Sequence, residues 1–234
     1  MALPRIDTPT YQTNLPSTGQ SVQFRPFLVK EQKIIMMAQE SGEEGEMVRA
    51  LSELVTACTF NKIDVANSPT FDVEFLFLKI RGKSVGETVQ INMVCPDDEV
   101  TQVSTKIDLD QIRVQTQEGH NNVIDITDTV KMVFKYPTLL DISRTGNIQS
   151  SEGVFNLMNR CIHEIHYGDD VYNRVDISDK DIEEFIDQLT GEQFEKVTQF
   201  FQTMPKLSHK VSITNPKTNV QSEVVLEGLQ SFLG

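Results

Sequence analysis

The chain has no tryptophan, only three cysteines and no long uninterrupted apolar run. Cys58, Cys95 and Cys161 are far apart and odd in number, which argues against a disulfide framework and favours a reducing compartment. No stretch approaches the roughly 20 apolar residues that a membrane-spanning helix needs. The amino terminus also lacks the apolar segment of a signal peptide, so we expect a soluble protein that remains where it is made.

Positive charge is also scarce. The chain carries 21 Lys and Arg residues against 34 Asp and Glu residues, a formal net charge of −13. Such an excess repels the phosphates of nucleic acids and anionic lipids, and no basic cluster offsets it. We therefore expect neither a nucleic acid nor a membrane as partner. The 234 residues, 38% of them hydrophobic, suffice for one large domain or two small ones with a hydrophobic core.

The sequence lacks the common motifs of catalysis and nucleotide binding, namely G-x-S-x-G, the P-loop and the Rossmann glycine pattern. His163 and His166 do not have the H-E-x-x-H spacing of a metalloprotease. On the helix that the local pattern predicts, Cys161 and His163 would face about 160° apart and could not share an ion. We predict no catalytic residue, no cofactor and no functional metal, with a metal-dependent hydrolase as the enzymatic alternative.

A pattern that occurs twice is the most informative feature present. An alternating apolar strand leads into Cys95-Pro96-Asp97-Asp98 in one copy and into Asn215-Pro216-Lys217-Thr218 in the other, and a returning strand follows each. Two strands joined by a short polar loop indicate a β-hairpin. A Cys-Pro-x-x turn is half of a zinc knuckle, but Asp98 stands where the second Cys is needed. We expect two similar hairpins with degenerate zinc-knuckle-like turns and no metal.

The remaining pattern predicts an α+β fold with amphipathic helices and a small antiparallel β region over residues 112–135. Apolar stripes at helical spacing predict helices over residues 47–58, 152–166, 178–189 and 194–204, and helices are also predicted over residues 28–38, 71–80 and 226–233. Residues 71–80 alternate like a strand at first and then become apolar, but Ser68-Pro69 just before them is a helix-start signal, so we predict a buried helix there.

Three segments are predicted from these patterns. Residues 1–26 contain four prolines and few apolar runs, so we expect an extended arm or a small edge hairpin that adds little to a core. Such an arm would become ordered mainly on contact with a neighbouring subunit. Residues 27–140 form a mixed α/β module with the first hairpin, and residues 141–234 form a helical module that ends in the second hairpin.

Several stretches resemble a known protein family. Residues 71–87, FDVEFLFLKIRGKSVGE, are similar to the central signature of baseplate proteins from T-even-like contractile-tailed bacteriophages, the myoviruses. The carboxyl-terminal stretches FFQTMPKLSHKV at 200–211 and LEGLQSF at 226–232 resemble the end of that family. The start of the chain, IDTPTY at 6–11 and FRPF at 24–27, is similar to members from marine myoviruses.

The resemblance implies a structural or morphogenetic protein, because members are baseplate hub subunits or factors needed to assemble the hub. It carries over no catalytic residue. Some relatives have complete C-x-x-C turns at the two hairpins, and this chain does not. A transient assembly chaperone that is absent from the mature virion is the alternative.

The resemblance also implies a place and a set of partners. We expect the virion tail baseplate, assembled in the host cytoplasm, and contacts with other tail proteins; a homo-oligomer is left open. Candidate partner-binding residues lie in the arm and at the hairpin tips: Ile6, Tyr11, Phe24, Pro96 and Pro216.

Overall fold

A computed structural model describes residues 6–145 and 150–232 of the protein. The chain forms two compact units, of which the first contains Met1–Gln115 and Lys206–Gly234 and the second contains Thr116–Pro205. These boundaries differ from the three consecutive segments expected from the sequence. The difference arises because two strands that are distant in sequence pair within the first unit and so join its two parts.

Helices and small antiparallel sheets make up an α+β fold, as the sequence predicted. The helices, in chain order, are α1 (Val29–Ser41), α2 (Glu44–Cys58), α3 (Thr70–Val85), α4 (Leu139–Thr145), α5 (Ser151–Cys161), α6 (Asp179–Ile186) and α7 (Gly191–Thr203). The strands are β1 (Tyr11–Asn14), β2 (Ser21–Phe24), β3 (Thr88–Val94), β4 (Gln102–Asp108), β5 (Arg113–Gln115), β6 (Val123–Asp125), β7 (Val130–Phe134), β8 (Ile162–Tyr167), β9 (Asp170–Asn173), β10 (Lys206–Thr214) and β11 (Gln221–Glu227). Short 3-10 turns cover Leu109–Gln111, Arg174–Asp176 and Leu229–Phe232.

Helix α3 is buried in the first unit. It begins after Pro69 and ends before Gly86. Gly86 has a φ of +124°, a conformation that residues with a side chain rarely adopt. The buried residues of the helix are Phe71, Asp72, Val73, Phe75, Leu76, Phe77, Leu78, Ile80 and Gly82. They lie on all sides of the helix, so other elements must enclose it. The predicted buried helix is thereby confirmed.

The two predicted hairpins are present in the first unit. Strands β3 and β4 pair with Val89 opposite Ile107, and β10 and β11 pair with Val211 opposite Val224. Strand β5 adds to the free side of β10 near Leu207, which makes a sheet in the order β11-β10-β5. Alternating burial along β10 shows that one face of this hairpin packs on the core.

The amino-terminal segment contains a further hairpin, β1–β2, in the same unit. Its side chains Leu15, Val22 and Phe24 are buried. Ser17 in its turn donates from its backbone N–H, at 3.0 Å, and from its hydroxyl to the carboxylate of Asp72 on α3. The expectation that this segment adds little to a core is therefore wrong. Short alternating strands place a few apolar residues on one face, and proline frequency alone does not reveal this.

The second unit contains a four-stranded antiparallel sheet in the order β6-β7-β8-β9. Residues from the sheet and from α5, α6 and α7 form one apolar cluster, which includes Met132, Phe134, Met158, Ile182, Ile186, Val197 and Phe200. Helix α6 starts at the Ser178 cap, and α7 starts with the Thr190 capping box. The start of α6 agrees with the helix predicted over 178–189, whereas α7 begins at Gly191, ahead of the predicted start at 194.

One predicted helix of this unit is wrong. The pattern predicted a single helix over 152–166, but α5 ends at Cys161 and β8 begins at Ile162. A register shift between β7 and β8 sets Phe134 opposite Ile162 and Val133 opposite Glu164, so His163 is an extra bulged residue. The bulge lets Ile162 and Ile165, three positions apart, both be buried, and this spacing imitates a helix. The carboxyl-terminal third is consequently not purely helical.

The predicted helix over 226–233 is also replaced by other structure. Strand β11 continues to Glu227, Gly228 turns the chain with φ of +71°, and a 3-10 turn covers Leu229–Phe232. The last position of the predicted helix, Leu233, lies outside the described residues. The buried side chains Leu229 and Phe232 are three apart, which suits the 3.0 residues per turn of this conformation.

Candidate functional site

The turn between β3 and β4 is held by its own backbone. The N–H of Cys95 donates to the carbonyl of Thr101 at 2.7 Å, and the N–H of Glu99 donates to the carbonyl of Cys95 at 2.9 Å. Glu99 has a φ of +54°, which reverses the chain after the intervening residues. Pro96 suits the second position because its φ is fixed and no N–H is needed there. Cys95 itself is buried and Pro96 is exposed.

The turn between β10 and β11 has the same two kinds of backbone hydrogen bond and is one residue shorter. The N–H of Asn215 donates to the carbonyl of Val220, and the N–H of Asn219 donates to the carbonyl of Asn215, each at 2.9 Å. Asn219 has a φ of +59° and corresponds to the residue with positive φ in the first turn. Asn215 is buried and Pro216 is exposed. The equivalence inferred from the sequence therefore extends to the hydrogen bonds and to the burial of the first residue.

The amino-terminal hairpin has a turn of the same form; the residues Pro16 to Gly19 indicate a turn, but its likeness to the other two turns was not predicted from the sequence. The N–H of Leu15 donates to the carbonyl of Gln20 at 2.9 Å, and the N–H of Gly19 donates to the carbonyl of Leu15 at 2.8 Å. Pro16 takes the second position, and Gly19 has a φ of +69°. The shared signal is a buried residue, then proline, with a residue of positive φ three positions after the proline.

A carboxylate joins the turns at Cys95 and Asn215. The side-chain amide of Asn215 donates to both oxygens of Asp97, at 3.1 and 3.0 Å, and the hydroxyl of Thr218 donates to the same carboxylate. The Thr218 hydroxyl, followed by the Asn215 amide, lowers the pKa of Asp97. We call residues 95–101 and 215–220, joined in this way, the paired turns.

A second carboxylate closes the first of the paired turns on itself. Asp98 accepts from the backbone N–H groups of Val100 and Thr101, at 3.1 and 2.9 Å, and from the Thr101 hydroxyl. These bonds, with that of the Thr101 hydroxyl foremost, hold the pKa of Asp98 well below its usual range. Asp98 is therefore ionised at neutral pH and committed to accepting hydrogen bonds.

The residues at the paired turns do not fit a structural zinc ion. The four knuckle positions hold Cys95, Asp98, Asn215 and Thr218, and zinc sites of this kind need mainly thiolates and imidazoles. Burial, together with the nearby negative charges, raises the pKa of the Cys95 thiol. The Asn215 side chain is already used, because its oxygen accepts from the N–H of Lys217 at 2.9 Å while its nitrogen donates to Asp97.

The rest of the described chain also offers no cluster of metal-binding side chains. Within residues 6–145 and 150–232, no group of three or more His, Cys, Asp or Glu side chains lies close enough to bind one. The histidines on β8 illustrate this. His166 bonds to Glu164 at 2.7 Å, whereas the side chain of His163 is largely exposed at the bulge.

The residues expected to bind partners fall into two groups. Pro96 and Pro216 are exposed on turns that Asp97 joins. Ile6 is 91% exposed, and Tyr11 is half-buried with its ring 5.7 Å from that of Phe24. Phe24 is buried in the core of the first unit, so it is not available as a surface contact. Strand β2 alternates, and its apolar side chains face inward.

Sequence reasoning missed the role of Asp97 and the exposed valines beside it. Asp97 and Asn215 are 118 positions apart, and nothing local to either residue indicates that they bond. Val100 is 73% exposed, and Val220 is exposed in the second turn. An exposed apolar residue in a polar turn is a detectable signal, although by itself a weak one.

Glu74 is a partly buried titratable group elsewhere in the first unit. Burial raises its pKa to about 7, and a hydrogen bond from the backbone N–H of Leu229 partly opposes this rise. Strongly perturbed carboxyls also occur in active sites, so the group is a candidate for proton transfer. Its position on the buried helix α3, against the 3-10 turn that ends the described chain, indicates a structural contact instead.

His120 is the comparable group in the second unit. Its Nδ1 lies 2.9 Å from the Thr203 hydroxyl, and its Nε2 lies 3.1 Å from the Tyr136 hydroxyl. The Thr203 hydroxyl donates to the carbonyl of Gln199 at 2.7 Å, so the network assigns the imidazole proton to Nδ1. Burial lowers the pKa of His120. The histidine thus attaches the loop before β6 to α7.

The comparisons with known proteins give one family. The family model described as T4 bacteriophage base plate protein matches residues 8–234, nearly the whole chain and both paired turns. No curated protein and no solved structure matches the chain. Among the described residues, no helix has the length and apolar character that crossing a membrane requires.

Proposed function

Because the chain belongs to the T4 bacteriophage base plate protein family, we propose that it is a structural subunit of the hub of a contractile-tail baseplate. The match over residues 8–234 is the observation that carries this proposal. Family membership supports a component of the baseplate of a T4-like phage. The hub position, and entry into the tail during assembly in the host cytoplasm, rest on the resemblance of residues 71–87 to hub proteins.

We propose that the paired turns bind a neighbouring tail protein. Pro96 and Val100 are exposed in the first turn, and Pro216 and Val220 are exposed in the second. Backbone hydrogen bonds and Asp97 hold both turns in one conformation. A preformed surface loses little conformational entropy when it binds, which favours a stable contact of modest area.

The titratable groups of this surface support binding rather than catalysis. The pKa of Asp97 and that of Asp98 are lowered, and the pKa of Cys95 is raised. A general acid or base works best with a pKa near the ambient pH, and these groups are displaced from it in both directions. We therefore propose that the protein is not an enzyme and that it requires neither a cofactor nor a metal.

Ile6 is the second proposed contact. It lies before β1, and its apolar side chain is 91% exposed and accessible to a partner. Tyr11, half-buried on β1, follows it. The surface around these residues belongs to an acidic chain, so we propose protein partners rather than nucleic acids or membranes.

Mass spectrometry of purified phage particles tests the structural role. We expect peptides of this chain at a constant ratio to other baseplate proteins, in particles purified through successive density gradients. A control sample of infected cells measures the total pool. A chain abundant in infected cells but absent from the particles would overturn the proposal and identify a transient assembly chaperone.

A further inference from the structure

Helix α1 buries a charged residue and exposes apolar residues, the reverse of an ordinary surface helix. Its buried residues are Glu31 and Ala38, whereas Val29, Met36 and Met37 are 67%, 50% and 69% exposed. A surface helix normally buries its apolar residues and exposes its charged ones. An exposed apolar stripe of this kind marks a surface that another protein covers.

The buried glutamate accounts for the inward face. Glu31 accepts from Arg25 at 2.9 Å and from the N–H of Leu28 at 2.7 Å, so its charge is satisfied inside the unit. Lys30 approaches the same carboxylate at 3.4 Å, but its side chain remains 71% exposed. The buried charge on the inward face of α1 is therefore balanced, and the methionines on the outward face take no part in these contacts.

The outward face has the spacing of a helix-pairing seam. Val29, Lys33, Met36 and Glu40 follow one another at intervals of four, three and four residues, which places them along one line of the helix. All of them are exposed. Met37 lies beside this line and widens its apolar centre. The seam is thus apolar in the middle, with a lysine towards its amino-terminal end and a glutamate towards its carboxyl-terminal end.

We propose that α1 pairs with α1 of a second copy of this chain, antiparallel about a two-fold axis between Met36 and Met37. In this register Lys33 lies opposite the partner's Glu40, and Glu40 lies opposite the partner's Lys33. Met36 meets the partner's Met37. Each contact then occurs twice, as a two-fold interface requires.

The charge distribution selects this arrangement over a parallel one. A parallel pair would set each lysine beside the partner's lysine and each glutamate beside the partner's glutamate, which destabilises helix pairing. The dipoles of antiparallel helices oppose one another favourably.

The area of this contact sets its strength. A pair of short helices buries less than the roughly 1,600 Å² of a standard interface. We therefore expect a weak dimer, with a dissociation constant on the order of 10 to 100 μM, that forms more readily where copies are concentrated. The rim charges make the association weaker at high salt.

Analytical ultracentrifugation of the full chain from about 1 to 500 μM brackets such a constant and tests the proposal. We expect a monomer–dimer equilibrium in the wild type. Met37→Glu, at an exposed position, should raise the dissociation constant at least about tenfold with an unchanged circular dichroism spectrum. Val175→Glu is the matched control, because Val175 is 90% exposed in the second unit and should leave dimerisation unchanged.

A charge exchange tests the register. Lys33→Glu and Glu40→Lys should each weaken the dimer, and the double variant should restore it to within a few-fold of the wild type. A wild type that stays monomeric over the whole range overturns the proposal, as does a Met37→Glu variant that dimerises normally. A double variant no stronger than the single ones overturns the antiparallel register.

Discussion

Two aspartates hold proline-containing turns in the first unit, and their surroundings differ. Asp72 on α3 is buried and accepts twice from Ser17 in the amino-terminal turn, whereas Asp97 is exposed and accepts from Asn215 and Thr218 of the other hairpin. Burial outweighs the Ser17 bonds and raises the pKa of Asp72. At Asp97 the hydrogen bonds prevail and lower the pKa.

Turns of the same form therefore have two different roles in this unit. The amino-terminal turn is fastened to a buried helix, so its residues contribute to the stability of the fold. The paired turns are joined to each other through the exposed carboxylate of Asp97, which water can also solvate, so the net energetic gain is small. Their bonds fix a shape more than they stabilise the unit, as a binding surface requires.

The largest expected effect comes from the buried first residue of the amino-terminal turn. Leu15→Ala removes a buried side chain and should lower the free energy of unfolding by about 2–5 kcal/mol. Gln23→Ala, exposed on β2, is the control and should change it by no more than about 0.5 kcal/mol. Urea denaturation measures both. If both substitutions change the free energy of unfolding by equally small amounts, the amino-terminal hairpin does not contribute to the core as described.

A pH series applies the same reasoning to the partly buried carboxyl of Glu74. Its folded pKa of about 7 lies above its ordinary value of 4.5, so the folded state keeps the proton longer than the unfolded state. The free energy of unfolding should therefore fall as pH rises between these values. Glu74→Gln should remove this slope and stabilise the protein by about 1–3 kcal/mol at pH 8.

Denaturation at several pH values checks this expectation. The matched control is Glu53→Gln, an exposed glutamate on α2, which should leave the slope in place. Two results together would contradict the raised pKa of Glu74. They are a wild-type stability that rises steadily from pH 4.5 to 7 and a Glu74→Gln variant with the same pH profile.

The two aspartates can be compared directly by substitution. Asp72→Ala should lower the free energy of unfolding by about 1–2 kcal/mol, because a buried acceptor of two hydrogen bonds is lost. Asp97→Ala should lower it by less, because water can replace the carboxylate. Amide hydrogen exchange should instead report faster exchange in the paired turns of Asp97→Ala. A greater loss of stability at Asp97 than at Asp72 would reverse the comparison.

The smallest expected effect is that of a chelator. The paired turns are joined by Asp97, and their residues do not suit zinc, so EDTA should leave the melting temperature unchanged. Elemental analysis of the untreated protein is the companion measurement. Stoichiometric zinc, lost together with a fall in melting temperature, would show that a metal joins the turns.

Local sequence patterns predicted some elements of this fold correctly and others incorrectly. Helix α3 and the two predicted hairpins were foreseen because apolar runs, prolines and alternation are properties of short segments. The helix predicted over 152–166 failed because the bulge at His163 gives a strand the spacing of a helix. A bulge depends on the partner strand and is invisible in one segment.

The candidate site was foreseen in part for the same reason. The proline turns could be predicted from their residues, including the lack of a second cysteine at Asp98. Asp97 could not be assigned, since its partners Asn215 and Thr218 come from a distant hairpin. Phe24 was misjudged because the facing of a four-residue strand depends on what it packs against.

Incorporation of a variant of the paired turns into particles tests the central claim most directly. Val100→Asp adds a charge to the exposed surface, and Val175→Asp adds one to an exposed site in the second unit. With each variant supplied in place of the wild type, quantitative mass spectrometry gives its copies per purified particle. We expect at least a tenfold loss for Val100→Asp, with unchanged melting temperature, and normal incorporation for Val175→Asp. Normal incorporation of Val100→Asp would contradict the claim that the paired turns bind a neighbouring tail protein.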